Sequence, residues 1–353
     1  MKRILIAPLN WGLGHATRCV PIIQEIETLG MQPVLAGEGR SAALLCREFP
    51  HLEFISLPGF EIRYPENGNM TIQMLLALPA FLKSIRAEHR LLEKIIAEKQ
   101  IDAVISDNRY GLYSKQVPCI FITHQVFIQA PLGAALLLRI NERYMRRFTE
   151  CWIPDYAGKE NLSGILSHGG ETAVQRYFIG PLSRLRTPSG IVPVRYDLLV
   201  ILSGPEPQRT VLERLVKREL EDVNLRVLLI LGKTEQEEYV RAGNVEERSH
   251  LSAAAMQEAW SQSALVLCRS GYSSIMDAEV MGSKCIFIPT PGQTEQEYLG
   301  TYHAGLGHAI TVTQDAFKLR RALEEASLIP GFKSRKEEGE VRRGRLLNLS
   351  GLL

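Results

Sequence analysis

The chain has 353 residues, 45% of them hydrophobic and 23% charged, with 41 basic against 39 acidic side chains and a net charge of +2. That length makes two domains the natural expectation, each large enough to bury a core. The even charge balance leaves no basic excess for a nucleic acid partner, and no run of about 20 apolar residues offers a membrane span.

The opening residues, MKRILIAPLNWG, hold a five-residue apolar stretch, too short for the hydrophobic region of a secretory signal. The six cysteines, Cys19, Cys46, Cys119, Cys151, Cys268 and Cys285, are scattered without a CxxC pair and read as reduced thiols. Both features predict a cytoplasmic protein.

Strands are predicted at Arg3 to Ala7, Gln32 to Ala36, Leu52 to Leu57, Ala103 to Ser106, Cys119 to Thr123 and Tyr177 to Ile179, with helical stretches between them. The segment GPLSRLRTPSGIVPV, with three prolines and two glycines in fifteen residues, marks a boundary. A second series follows at Leu198 to Leu202, Arg226 to Leu231, Leu265 to Cys268, Cys285 to Ile288 and Ala309 to Val312. The domains so predicted are residues 1–180, a linker at 181–196, residues 197–330 and a charged tail at 331–353. The alternation gives an α/β protein with parallel sheets, whose ligands belong beyond the carboxyl ends of the strands.

The first such loop is PLNWGLGHATR. Gly12 and Gly14 let the backbone approach a ligand before a helix begins, although such a pair also serves a plain tight turn. His15 stands at the helix start, where the positive end of the macrodipole disfavours imidazolium and leaves a neutral base. Arg18 follows one turn later.

In the second half, Ser203 and Gly204 follow a strand and can offer backbone donors to an anion, or form an ordinary turn. The stronger segment is CRSGYSSIMDAEVMGSKCIFIPTPGQTEQEY. There a strand ends at Arg269, Ser270 and Gly271, and a helix carries Ser273, Ser274 and Asp277. A helix N-terminus in that place suits phosphate, and Asp277, three residues after Ser274, suits ribose hydroxyls. Glu295, Gln296 and Glu297 come to the same edge as acceptors for a sugar. Taken singly, such acids are more often solvated helix positions.

These residues resemble the MurG-type glycosyltransferases of family 28. GLGHATR is similar to that family's first glycine loop, and RSGYSSIMDAEVMG to its RSG-x-x-T-x-x-E-x-x-x-x-G donor motif, with Asp277 in place of glutamate. The resemblance implies a GT-B fold: two Rossmann-like domains with parallel sheets facing an interdomain cleft. It places Gly12, Leu13 and Gly14 in the first loop and His15 on the functional histidine. Ser270, Gly271, Ser274 and Asp277 fall on the donor segment. Weaker matches put Arg184, in GPLSR against the family's GNPVR, Ser203, Gln296 and Glu297 on the donor side. The family's His-Glu-Gln segment stands here as Thr123, His124 and Gln125, with Val126 where an asparagine follows. His124 joins His15 as a catalytic candidate, and Asn10, Arg18, Asp107 and Gln125 are assigned to the acceptor side.

The implied reaction is inverting transfer of a sugar, N-acetylglucosamine or a related hexose, from a UDP-sugar to an unknown acceptor, with a lipid-linked one as a candidate. No Asp-x-Asp and no His/Cys cluster with ligand spacing occurs, so neither a metal nor another cofactor is expected. An apolar run from Met70 to Leu82 followed by Lys83, Arg86 and Arg90, and the set Arg139, Arg143, Arg146 and Arg147, suggest peripheral contact with the inner face of the membrane; a core helix and a solvated basic face are the plainer alternatives. Competing readings are a UDP-sugar hydrolase of the pseudaminic-acid-pathway type, a non-hydrolysing epimerase, and a binding protein without turnover.

Overall fold

The computed structural model describes residues 1–59, 70–128, 134–188, 190–233, 238–335, 342 and 344–346. The chain divides into two units. The first runs to Leu182 and takes in Arg342 and residues 344–346; the second begins at Ser183 and includes residues 331–335.

The first unit contains strands β1 (Arg3–Pro8), β2 (Gln32–Gly37), β3 (Glu53–Ser56), β4 (Ala103–Asp107), β5 (Cys119–Ile122), β6 (Glu150–Ile153) and β7 (Arg176–Phe178). Its helices are α1 (Leu13–Thr28), α2 (Gly39–Glu48), α3 (Met70–Lys99), α4 (Ala134–Met145) and the short α5 (Ile165–His168). The sheet is parallel throughout, in the order β3-β2-β1-β4-β5-β6-β7. Helices on both faces of such a sheet explain why Ile4 to Ala7 and Ala103 to Ser106 are buried without alternation. Leu5, Ala7, Val34, Val104 and Phe121 form one core with Leu92, Ile95 and Ile96 of α3. The strand β6, ECWI, was not anticipated from the sequence; it has only four residues, and the first of them is charged.

The second unit contains β8 (Leu198–Ile201), β9 (Val227–Ile230), β10 (Tyr239–Ala242), β11 (Val245–Arg248), β12 (Val266–Cys268), β13 (Cys285–Phe287) and β14 (Ala309–Thr311). Its helices are α6 (Gln208–Leu220), α7 (Ala253–Ser261), α8 (Tyr272–Met281), α9 (Thr294–Gly305) and α10 (Leu319–Ser327). The order is β10-β11-β9-β8-β12-β13-β14. Only the edge pair β10 and β11 is antiparallel, a hairpin that the expected parallel series did not include. Leu198, Val200 and Leu202 pack with Leu212, Val216 and Leu220 of α6 and with Leu319, Ala322 and Ala326 of α10.

Two boundaries differ from expectation. The segment after Leu182, predicted as linker, is tied to the second unit: the Thr187 hydroxyl donates to the Val280 carbonyl, and the Arg186 amide to Gln257. Much of the charged tail lies outside the described residues; residues 331–335 belong to the second unit, where the Phe332 amide donates to the Ser283 carbonyl, and Arg342 and residues 344–346 belong to the first. Arg342 Nε donates to Glu25 at 2.6 Å, and Leu346 is fully buried.

Candidate functional site

In the first sheet the chain leaves β1 toward β2 on one side and returns through β4 toward β5 on the other. The carboxyl ends of β1 and β4 therefore form the topological switch point, where side chains from diverging loops meet. His15 and Arg18 sit three residues apart at the start of α1, on one face of the helix. Asp107 is the last residue of β4, and His124 follows β5 by two residues.

These four residues converge. Arg18 Nε donates to Asp107 Oδ2 at 2.7 Å, and Nη2 donates to Oδ1 of the same carboxylate, with both side chains almost wholly buried. Arg18 Nη2 lies 2.8 Å from His15 Nδ1 and Nη1 lies 3.2 Å from His124 Nδ1. Both Asp107 oxygens stand 3.3 Å from His15 Nδ1. Burial lowers the His15 pKa, and the Arg18 charge lowers it further against the opposing pull of Asp107. Burial acts to raise the Asp107 carboxyl, but the charges of Arg18 and His15 and the bonds from both override it and hold the group down to about 2. The result is a neutral imidazole against a carboxylate kept ionised, the pairing that acid–base chemistry uses.

The neighbouring candidates have structural ties. Gly12, at φ 142, precedes α1 and supplies no side-chain cap, so the first amides of the helix keep their donors. Leu13 opens that helix, and the Gly14 carbonyl accepts from the Thr17 hydroxyl. Asn10 turns its carboxamide against the first turn of α2, accepting from the Ser41 amide at 3.4 Å. Gln125 donates its amide to the Thr123 hydroxyl and accepts from Asn141 through its carbonyl.

Asn108, beside Asp107, was missed. It is a non-glycine residue at φ 59, and its Oδ1 is buried with no hydrogen-bond partner among the described residues. An asparagine after a strand, the side chain that best tolerates left-handed backbone, was the available signal.

In the second unit the switch point lies between β8 and β12. Ser203 is exposed in the loop after β8, with Gly204 next to it. Gly271 is the N-cap of α8, which lacks a side-chain cap. Gly282, the last glycine of the motif, ends α8 in left-handed backbone at φ 64, a place where a Cβ is penalised.

Asp277 is partly buried on α8 and accepts from the Ser183 hydroxyl at 2.5 Å. Burial pushes its carboxyl up to about 6, against the bond from Ser183 and the charge of Arg184. Ser273 and Ser274 are partly exposed on the first turn, and Ser274 bonds to the Cys268 sulfur.

Four expected ligand side chains are engaged within the protein. Arg269 is buried and donates from Nη1 to the Ile288 and Pro289 carbonyls and from Nη2 to Gln208 and Gln314, so it braces loops, leaving its backbone as what it offers a ligand. The Ser270 hydroxyl donates to the Gln296 carbonyl at 2.7 Å. Gln296 Oε1 accepts from the Thr290 amide at 2.8 Å, while Glu297 Oε1 accepts from the Gly292 amide at 2.9 Å. Glu295 and Glu297 occupy the first turn of α9.

Two doubly wound, largely parallel sheets in one chain, each with its glycine-bearing loops at the switch point, define the GT-B class of glycosyltransferase folds. Residues 199–336 match the model of the glycosyltransferase family 28 C-terminal domain. A Mannheimia succiniciproducens protein named UDP-N-acetylglucosamine--N-acetylmuramyl-(pentapeptide) pyrophosphoryl-undecaprenol N-acetylglucosamine transferase is 30% identical, over 89% of this chain and 85% of its own length. A Haemophilus ducreyi protein of the same name is 23% identical over 96% of this chain and 92% of its own. Among solved structures, MurG of Acinetobacter baumannii superposes with a TM-score of 0.59 at 13% identity, covering 100% of both chains. The chain belongs to the MurG-like glycosyltransferases of family 28.

Proposed function

We propose that this glycosyltransferase takes N-acetylglucosamine from its UDP derivative and passes it to a hydroxyl of a lipid-linked acceptor, with inversion and without a metal ion. The observation that carries the reading is the buried cluster at the first switch point, where His15 stands beside a carboxylate held ionised. In the reacting complex His15 Nε2 takes the acceptor proton while the Asp107 carboxylate accepts a hydrogen bond from Nδ1–H. The hydroxyl oxygen then attacks the anomeric carbon, the bond to the diphosphate breaks, and UDP leaves carrying the electron pair. The negative charge growing on the diphosphate is met by the uncapped amides at Gly271 and the start of α8, and by those of Ser203 and Gly204. Asp277 is assigned to the ribose hydroxyls. The donor and acceptor printed in the names of the relatives support the choice of sugar and of acceptor class.

Attachment to the inner membrane face is part of the proposal. Arg139, Arg143, Arg146 and Arg147 are exposed, as are Lys83, Arg86 and Arg90, a set of cations suited to anionic headgroups. Among the described residues no helix is long and apolar enough to cross a membrane.

The test is calorimetry of UDP-N-acetylglucosamine against GDP- and TDP-sugars, followed by UDP release with and without an undecaprenyl-pyrophosphoryl acceptor. Preference for UDP and release that depends on the acceptor are expected. Release at the same rate in its absence replaces transfer by hydrolysis, and indifference to the nucleotide removes the donor assignment. Failure to sediment with anionic vesicles at low salt removes the membrane contact.

A further inference from the structure

The donors of Arg18 reach the Asp107 carboxylate, His15 Nδ1 at 2.8 Å and His124 Nδ1 at 3.2 Å. A guanidinium has five N–H donors, no acceptor, and no accessible neutral form. Each imidazole nitrogen that faces it must therefore present a lone pair, which leaves the proton of each ring on Nε2. For His15 this is the wrong tautomer for a base acting through Nε2.

We infer that Arg18 is a positioning residue that holds His15 in an idle Nε2–H tautomer in the resting protein, and that the base is armed when His15 Nδ1 exchanges Arg18 for Asp107. Both carboxylate oxygens already stand 3.3 Å from Nδ1, just outside the usual range for a charge-assisted bond, so a small approach of the ring completes the exchange. Arming moves no net charge: Nδ1 takes and keeps a proton from water, donating a hydrogen bond through it to the Asp107 carboxylate, and the Nε2 proton returns to water. The charged and titratable groups placed around His15 are Arg18 and Cys19 from α1, Asp107 from β4 and His124 after β5, with Cys19 Sγ 3.8 Å from Asp107 Oδ2. Arg18 contributes to both halves of the resting state, since it fills Nδ1 and its charge adds to burial in opposing protonation of the ring. The consequence for turnover rests on His15 being the base; the tautomer itself does not.

The experiment is long-range ¹H–¹⁵N correlation spectroscopy of the full chain labelled at histidine, without donor or acceptor, with the His15 signals identified by their loss in His15→Gln. The wild type is expected to show a lone-pair nitrogen at Nδ1 and a protonated Nε2, with the ring still neutral below the ordinary histidine midpoint. In Arg18→Gln the proton should move to Nδ1, and the titration midpoint should rise. A protonated Nδ1 in the wild type overturns the inference, and so does an Arg18→Gln spectrum with unchanged tautomer and midpoint. If that variant does not fold, the wild-type spectrum decides alone. Absence of UDP binding in a protein showing the expected tautomer would remove the proposed reaction and leave the role of Arg18 standing.

Discussion

Arg18 Nε lies 2.7 Å from Asp107 Oδ2, and the two side chains are 2% and 0% exposed, so a charge pair from positions 89 residues apart is sealed inside the first unit. Removing one partner leaves the other charged and unsolvated. Asp107→Asn is expected to destabilise the protein by about 3–5 kcal/mol near neutral pH. The Asp107 pKa is depressed from 3.8 to about 2, so its contribution is present above 3.8 and lost as pH falls through about 2. Urea unfolding of both proteins should show a gap that is constant near neutrality and closes in acid. Equal stability at pH 7 would show that the pair contributes nothing.

Replacing His15 by alanine should leave UDP affinity intact and lower turnover by about 10² to 10⁴. Because the His15 pKa is lowered from 6.5, the imidazole stays neutral into mild acid, and the acid limb of kcat/KM should fall below pH 6.5. Initial rates between pH 5 and pH 8 check this; unchanged turnover in the variant would remove His15 as the base.

Asp277 shifts the other way. Its folded pKa is raised from 3.8 to about 6, so the folded state favours the neutral acid, and the stability this gives is lost as pH rises from 3.8 through about 6. Asp277→Asn should therefore melt higher than wild type at pH 8 and alike at pH 4. The same variant should bind UDP more weakly at pH 8, where the native carboxylate is ionised and accepts hydroxyl hydrogens. A higher melting point with unchanged UDP affinity would assign Asp277 to strain alone.

At Asn108 the backbone sits at φ 59, which a Cβ-bearing residue other than asparagine or aspartate adopts at a cost of about 1 kcal/mol or more. Asn108→Gly should be as stable as wild type or more so, and Asn108→Ala less stable by about 1–2 kcal/mol. Thermal melts decide; an alanine variant as stable as the glycine variant would mean the turn relaxes freely.

Arg269 offers a test of binding against bracing. Its guanidinium, lowered to about 10 by burial, meets carbonyl oxygens and a side-chain amide. Arg269→Met should cost about 2–4 kcal/mol of stability by stranding those acceptors. UDP affinity, measured below the melting transition, should change little. A large loss of affinity with intact stability would return Arg269 to the ligand.

The sequence by itself determined the two α/β series, because strands buried on both faces must be apolar throughout and helices covering them must not be. It also determined where chemistry had to be sought, since glycines and a histidine directly after β1, and a serine and glycine directly after β12, are read from local order alone. It did not reveal the β10 and β11 hairpin, whose exposed edge strand lacks the apolar run of its neighbours. The boundary segment read as a linker because its prolines and glycines are visible in the chain, whereas the bond from Thr187 to Val280 spans 93 residues. Only the tertiary structure decided which side chains meet. Arg269 and Arg18 look equivalent as cations beside glycine loops, yet one is enclosed by carbonyls and the other by a carboxylate and two imidazoles. That difference is set by what the fold packs around each guanidinium, because a buried charge takes its energy from neighbours in space, which the order of residues does not state.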